Sequence, residues 1–189
     1  ECYPLLAPSF RNPQTLAMAH MPTYAEWLMG LSADQMVPAY QCYAQGLAML
    51  NAGHESQRWV SKSPIHCWFI EPLLHVCPDA RIVRMRRDPA ETIPSTCSLY
   101  ETIRAAYSDN HRPAETGKLI VRLYEIYVGR FSNLVQNGHG ANVLDIDYQD
   151  LVQDPTGTVR LIHDKFGIPV SDEHESRMDQ WHSNDPYSS

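Results

Sequence analysis

The sequence predicts an α/β protein built on a parallel sheet. Short β-compatible runs alternate with longer amphipathic stretches along the 189 residues. The stretches between the runs are long enough to hold a crossover helix, which favours parallel over hairpin connections. Where a run gives way to a helical stretch, a capping residue is followed by proline, as at Ser63-Pro64 and Asp88-Pro89. The length fits one domain, taken as residues 1–189, and 43% apolar with 20% charged residues is ordinary for a soluble globular chain.

Glu1 to Gln14 is proline-rich and reads as irregular. Thr23–Gly30 and Asp34–Leu50 read as helices, with Trp27, Met29, Met36, Tyr40, Tyr43 and Met49 as core and helix-packing residues. Arg58–Lys62 reads as a short strand. Ser63 then caps a helix that carries Ile65, Trp68, Phe69, Leu73 and Leu74 as far as Cys77, with Pro72 expected to kink or split it. Pro78-Asp79 breaks the chain before a strand at Arg81–Arg86, where Ile82, Val83 and Met85 are apolar. Asp88, Pro89 and Glu91 then open a helix, as N-cap, first helical position and far arm of a capping pattern. Pro113–Gln136 is the clearest helix, with Ile120, Leu123, Tyr127, Phe131 and Leu134 on one stripe and Asn137-Gly138 at its end. Asn142–Ile146 reads as a strand. Asp154-Pro155 leads into a helix with Val159, Ile162 and Phe166, and Glu173–Trp181 is a short last helix.

The stretch from Arg81 to Leu99 carries the best chemical clue. A helix that starts after Asp88 aims free N–H groups and the positive end of its dipole at the turn. Arg87 sits at that turn with a planar fork of donors suited to phosphate oxygens, and Ser95 adds a hydroxyl two helical turns on. If Arg58–Lys62 and Arg81–Arg86 are parallel strands, Lys62 and Arg87 share the carboxyl edge, where open α/β sheets bind ligands. That is a site for a doubly phosphorylated ligand; the competing reading is an ordinary strand-to-helix turn with a surface arginine.

The run WVSKSPIHCWFIEPLLHVCPDARIVRMRRDPAETIPSTCSL resembles the PAPS-dependent sulfotransferases, in the branch with a Trp-Val-x-Lys-x-Pro-x-His pattern. A second block, Val143 to Leu151 followed by Asp154-Pro155, is similar to that family's strand ending in Tyr-Glu-Asp-Leu, with Gln149 in place of the usual acidic residue. The resemblance covers roughly Pro4 to Tyr187 and is specific only in these two blocks. It implies a three-layer, P-loop-NTPase-like domain with a central parallel sheet flanked by helices. It implies that Arg87 and Ser95 hold the 3′-phosphate of PAPS and that Tyr148 contacts its adenine. It also implies transfer of a sulfuryl group to a hydroxyl or amine of a small-molecule, lipid or carbohydrate acceptor, with no metal.

The family's Gly-Thr-Thr phosphosulfate loop, which follows its first strand, has no counterpart here. Thr156-Gly157-Thr158 follows Asp154-Pro155 and opens a helix, and Gly117-Lys118 has no strand before it. The expectation is therefore a chain without the N-terminal strand and loop. Sulfuryl transfer demands positioning, electrostatic stabilisation and a base for the acceptor's proton. Lys62 is the candidate to stabilise the leaving or transferring oxygens. His66 is the candidate base, with a carboxylate in an upstream segment as its competitor. Two other classes stay open: a small-molecule kinase of P-loop type, which needs an upstream Walker loop and a magnesium carboxylate, and a non-catalytic nucleotide-binding domain.

The net charge of −7 argues against general nucleic-acid binding. Five scattered cysteines without a C-x-x-C pair point to a reducing, cytoplasmic setting. There is no membrane-length apolar run. Asp145 and Asp147 share one side of a strand but lack a third metal ligand, and no Gly-x-Ser-x-Gly elbow is present.

Overall fold

The computed structural model describes residues 2–53, 59–110 and 112–184. They form two compact units, Glu1–Ala80 with Pro89–Gly138 and Arg81–Asp88 with His139–Ser189.

The first unit is helical. A 3₁₀ helix (Tyr3–Ser9) leads to α1 (Thr15–Met18), α2 (Pro22–Gly30) and α3 (Ala33–Leu50), then to a second 3₁₀ turn (Pro64–Trp68), α4 (Ile70–Val76), α5 (Pro89–Ala105) and α6 (Pro113–Gln136). A capping box starts α3: Ser32 Oγ accepts from the Gln35 N–H, and the Gln35 side chain accepts from the Ser32 N–H. The stripe on α6 is the core face, with Ile120, Leu123, Phe131 and Leu134 buried. Two arginines tie the helices together. Arg104, 5% exposed, donates to the Leu16 carbonyl (2.7 Å) and to the Thr116 hydroxyl (2.6 Å), linking α1, α5 and α6. Arg130 donates to the carbonyls of Trp68 (2.9 Å), Met29 (2.6 Å) and Leu31 (3.1 Å) and lies over the Phe69 ring at 4.6 Å. Its pKa is lowered by burial.

In the second unit β1 (Ile82–Arg86) pairs in parallel with β2 (Val143–Asp147), in the register Ile82↔Val143 through Arg86↔Asp147. A 3₁₀ turn (His139–Asn142) precedes β2, and α7 (Tyr148–Gln153), α8 (Pro155–Phe166) and α9 (Asp172–Asn184) follow it. Arg84 grips Asp145 across the register with two donors, one of them Nε at 2.6 Å from Oδ1. Asp147 accepts from the Gln149 N–H and caps α7; Asp154 accepts from the Gly157 N–H and caps α8. Gly167 closes α8 in the left-handed region at φ 61°.

Several expectations are corrected. Residues 59–62 form no strand: the described sheet contains only β1 and β2, Val60 is 93% exposed, and a lone extended segment has no ladder to join. Arg58, expected in that strand, lies outside the described residues. The basis for placing Lys62 and Arg87 on one sheet edge therefore disappears. The parallel partner of β1 is β2, reached by a much longer crossover. The helix after Ser63 does split, but at Phe69, which ends the 3₁₀ turn and precedes α4. Pro72 sits in the first turn of α4, where its missing N–H had no intrahelical partner to lose. The first fourteen residues are not wholly irregular, since Tyr3–Ser9 winds into 3₁₀ helix. Trp27 and Met49, expected in the core, are 47% and 79% exposed.

Candidate functional site

Parallel pairing brings both strand C-termini to one rim. Arg86 and Asp147 are register partners, so the next residues, Arg87 and Tyr148, emerge side by side. The Arg87 guanidinium lies over the Tyr148 ring at 4.8 Å from its centroid. Tyr148 is held there because Asp147 turns the chain directly from β2 into α7. Arg87 is exposed, and the chain passes through Asp88 into α5, which starts at Pro89. Ser95 is an exposed residue on α5 of the first unit. The structure thus brings two of the five expected site residues together within the second unit.

Lys62 and His66 belong to the first unit. Lys62 is exposed, and its carbonyl accepts from the Cys2 N–H at 3.3 Å. Ser63 accepts from the Ile65 N–H and, with Pro64, winds the next residues into the 3₁₀ turn that carries His66 inward. The imidazole meets α3. Its Nδ1 is 3.0 Å from the Tyr40 hydroxyl, and its Nε2 is 3.1 Å from Cys2 Sγ. The Tyr43 ring stands edge-on to it at 5.2 Å, and the Tyr43 hydroxyl donates to Ser61 Oγ at 3.2 Å. Burial lowers the pKa of His66 from 6.5 to about 4, so it is neutral at physiological pH. Burial likewise raises Tyr40 well above the usual phenol value and Tyr43 to about 12, so both keep their protons.

The sequence singles out His66 as a candidate but does not show its surroundings. Tyr40 and Tyr43 read as core residues, and they are buried, but their hydroxyls face the 59–66 segment. The available signal was their i, i+3 spacing on one helix face. Nothing marked Cys2, because its partner lies 64 residues away. Both strand carboxylates are occupied, Asp145 by Arg84 and Asp147 by the α7 cap, and no metal-type cluster of His, Cys, Asp and Glu occurs among the described residues. Gly157 sits under the Asp154 cap, which gives Thr156-Gly157-Thr158 a structural role at a helix start.

These features define a class: an α/β protein that presents an arginine–tyrosine pair at the carboxyl edge of a parallel strand pair. The particular family follows from comparison with known proteins. The family model described as Sulfotransferase family matches residues 1–172, and the chain belongs to that family. The crystal structure of sulfotransferase STF1 from Mycobacterium tuberculosis superposes with a TM-score of 0.85 at 32% identity, covering 95% of this chain and 48% of that one. Sulfotransferase STF9 from Mycobacterium avium gives a TM-score of 0.86 at 25% identity, covering 94% and 45%. The omega-hydroxy-beta-dihydromenaquinone-9 sulfotransferase Stf3 of Mycobacterium bovis is 28% identical over 115 residues, which is 58% of this chain and 28% of that protein. The chain thus spans less than half the length of each of these relatives. No described helix is long and apolar enough to cross a membrane.

Proposed function

We propose that the protein transfers a sulfuryl group from PAPS to an acceptor hydroxyl. The observation that carries this reading is the Arg87–Tyr148 pair at the strand rim, formed by residues from the two sequence blocks that resemble the family. A guanidinium fork suits a ribose-linked phosphate, and a tyrosine ring beside it suits a purine. Ser95 is the further hydroxyl for that phosphate. The fuller three-layer sheet, with a further strand and a phosphosulfate loop supplied by a longer chain, belongs to the same proposal.

In the reaction the acceptor oxygen attacks sulfur in line. The bond from sulfur to the 5′-phosphate oxygen breaks, its electron pair leaves with 3′,5′-ADP, and the acceptor proton passes to a base. Lys62 contributes positive charge to the leaving or transferring oxygens, and His66 contributes an imidazole. Among hydroxyl, amine, lipid and carbohydrate acceptors, the likeness to a menaquinone-type sulfotransferase favours a hydroxyl on an apolar, lipid-like molecule. The test is to incubate the full-length protein with sulfur-labelled PAPS and a panel of hydroxylated quinones, sterols and sugars. Label moves to an acceptor if the proposal holds; labelled PAPS left intact with every acceptor sinks it.

A further inference from the structure

We infer that His66 works as a hydrogen-bond donor through Nε2, with Tyr40 the positioning residue that fixes the ring proton there and Cys2 sulfur standing where an anionic substrate oxygen would sit. This rests on the sulfuryl-transfer reading above and narrows the part His66 plays in it.

Tyr40 is fully buried, and its hydroxyl touches one polar partner among the described residues, His66 Nδ1. A buried O–H without an acceptor is costly, whereas an oxygen with a spare lone pair is not. Tyr40 therefore donates to Nδ1, and Nδ1 must offer its lone pair. The single ring proton of the neutral imidazole is then on Nε2, directed at Cys2 Sγ 3.1 Å away. The thiol proton in turn has the Lys62 carbonyl at 3.8 Å, and the Tyr43 hydroxyl has Ser61 Oγ. In this tautomer the Tyr40, His66 and Cys2 protons each reach an acceptor.

In the opposite tautomer Nδ1–H would donate to Tyr40 and the thiol to Nε2. The Tyr40 proton would then have no acceptor, and the two tautomers differ in population by roughly ten- to a hundredfold on that ground. A base needs a lone pair facing the substrate, and the only lone pair of this ring faces Tyr40 deep in the core. Thiol sulfur is a weak acceptor, and an anionic oxygen of a sulfuryl or phosphate group would replace it on Nε2–H with a stronger, charge-assisted bond.

Two measurements decide this. Long-range proton–nitrogen NMR correlations of the His66 ring in this protein should show a protonated Nε2 and a bare Nδ1; a protonated Nδ1 overturns the inference whether or not sulfuryl transfer occurs. In the full-length protein, His66→Gln keeps an N–H close to the Nε2 position but cannot serve as a base. It should retain at least about a tenth of wild-type kcat while His66→Ala loses a hundredfold or more. Glutamine and alanine variants that are equally dead would restore the base. Wild-type protein with no transfer would remove the sulfuryl-transfer reading and leave the tautomer to NMR.

Discussion

Replacing Arg87 with alanine separates a binding role from a structural one. Arg87 is exposed, and within the second unit its cation lies 4.8 Å over the Tyr148 ring. A cation–π contact at an exposed site is worth about 0.5–1 kcal/mol. In a chain of 189 residues, loss of that one contact lowers Tm by about 2–4 °C. Loss of a charge-assisted hydrogen bond to a phosphate costs about 1.5–3 kcal/mol. At tenfold for each ~1.4 kcal/mol, Arg87→Ala should weaken 3′,5′-ADP about 10- to 150-fold. Arg87→Lys keeps the charge but not the fork and should fall between wild type and alanine. Tyr148→Phe keeps the stacking ring and should bind within a few fold of wild type. Isothermal titration calorimetry of the full-length variants with 3′,5′-ADP, beside their melting curves, gives both numbers. An alanine variant that melts near wild type and binds the nucleotide within twofold of it would refute the assignment of Arg87 to the phosphate.

Three further outcomes follow from the packing. Arg130→Met should remain folded but lose about 3 kcal/mol in a urea melt, because the carbonyls of Met29, Leu31 and Trp68 lose a charged donor. Gly157→Ala should cost about 1–2 kcal/mol, read as a lower urea midpoint, since the new methyl would collide with the Asp154 carboxylate and push the cap off α8. Acid sensitivity should also be traceable to His66. Its folded pKa of about 4 lies below the ordinary 6.5, so between those values the unfolded chain binds the extra proton, and stability rises with pH across that window. Urea midpoints at pH 4.5 and 7 should converge in His66→Gln relative to wild type, and an unchanged gap would show that other groups set the acid limb.

The sequence disclosed the helices best where pattern and punctuation agreed. Pro113–Gln136 matches α6 end to end because its buried stripe, opening proline and closing Asn-Gly are all local signals. β1 and β2 were legible to within a residue or so for the same reason. The strand expected before Ser63 failed because a strand is defined by its neighbour, which local sequence cannot supply. The break expected at Pro72 falls at Phe69 instead, where the 3₁₀ turn gives way to α4, and Pro72 lies harmlessly in the first turn of α4. At the site, the Arg87 and Tyr148 motifs were visible one by one, and the parallel register explains why they meet. The surroundings of His66 were hidden because Tyr40 reads as core until its hydroxyl is traced, and Cys2 comes from the far end of the first unit.

The only ladder in the described sheet joins residues such as Arg84 and Asp145, which are 61 positions apart. Closing a loop of that size from an open coil costs roughly 3–4 kcal/mol in chain entropy, a toll that short-range contacts never meet. The segment in between supplies α5 and α6, which pack on each other and shorten the effective tether once wound. Refolding should therefore run helices first and the β ladder last, with amides of 82–86 protected late in pulsed deuterium labelling. The rim that carries Arg87 and Tyr148 would then be among the last parts of the protein to take shape, and slow folding variants would lose that rim before they lose helix.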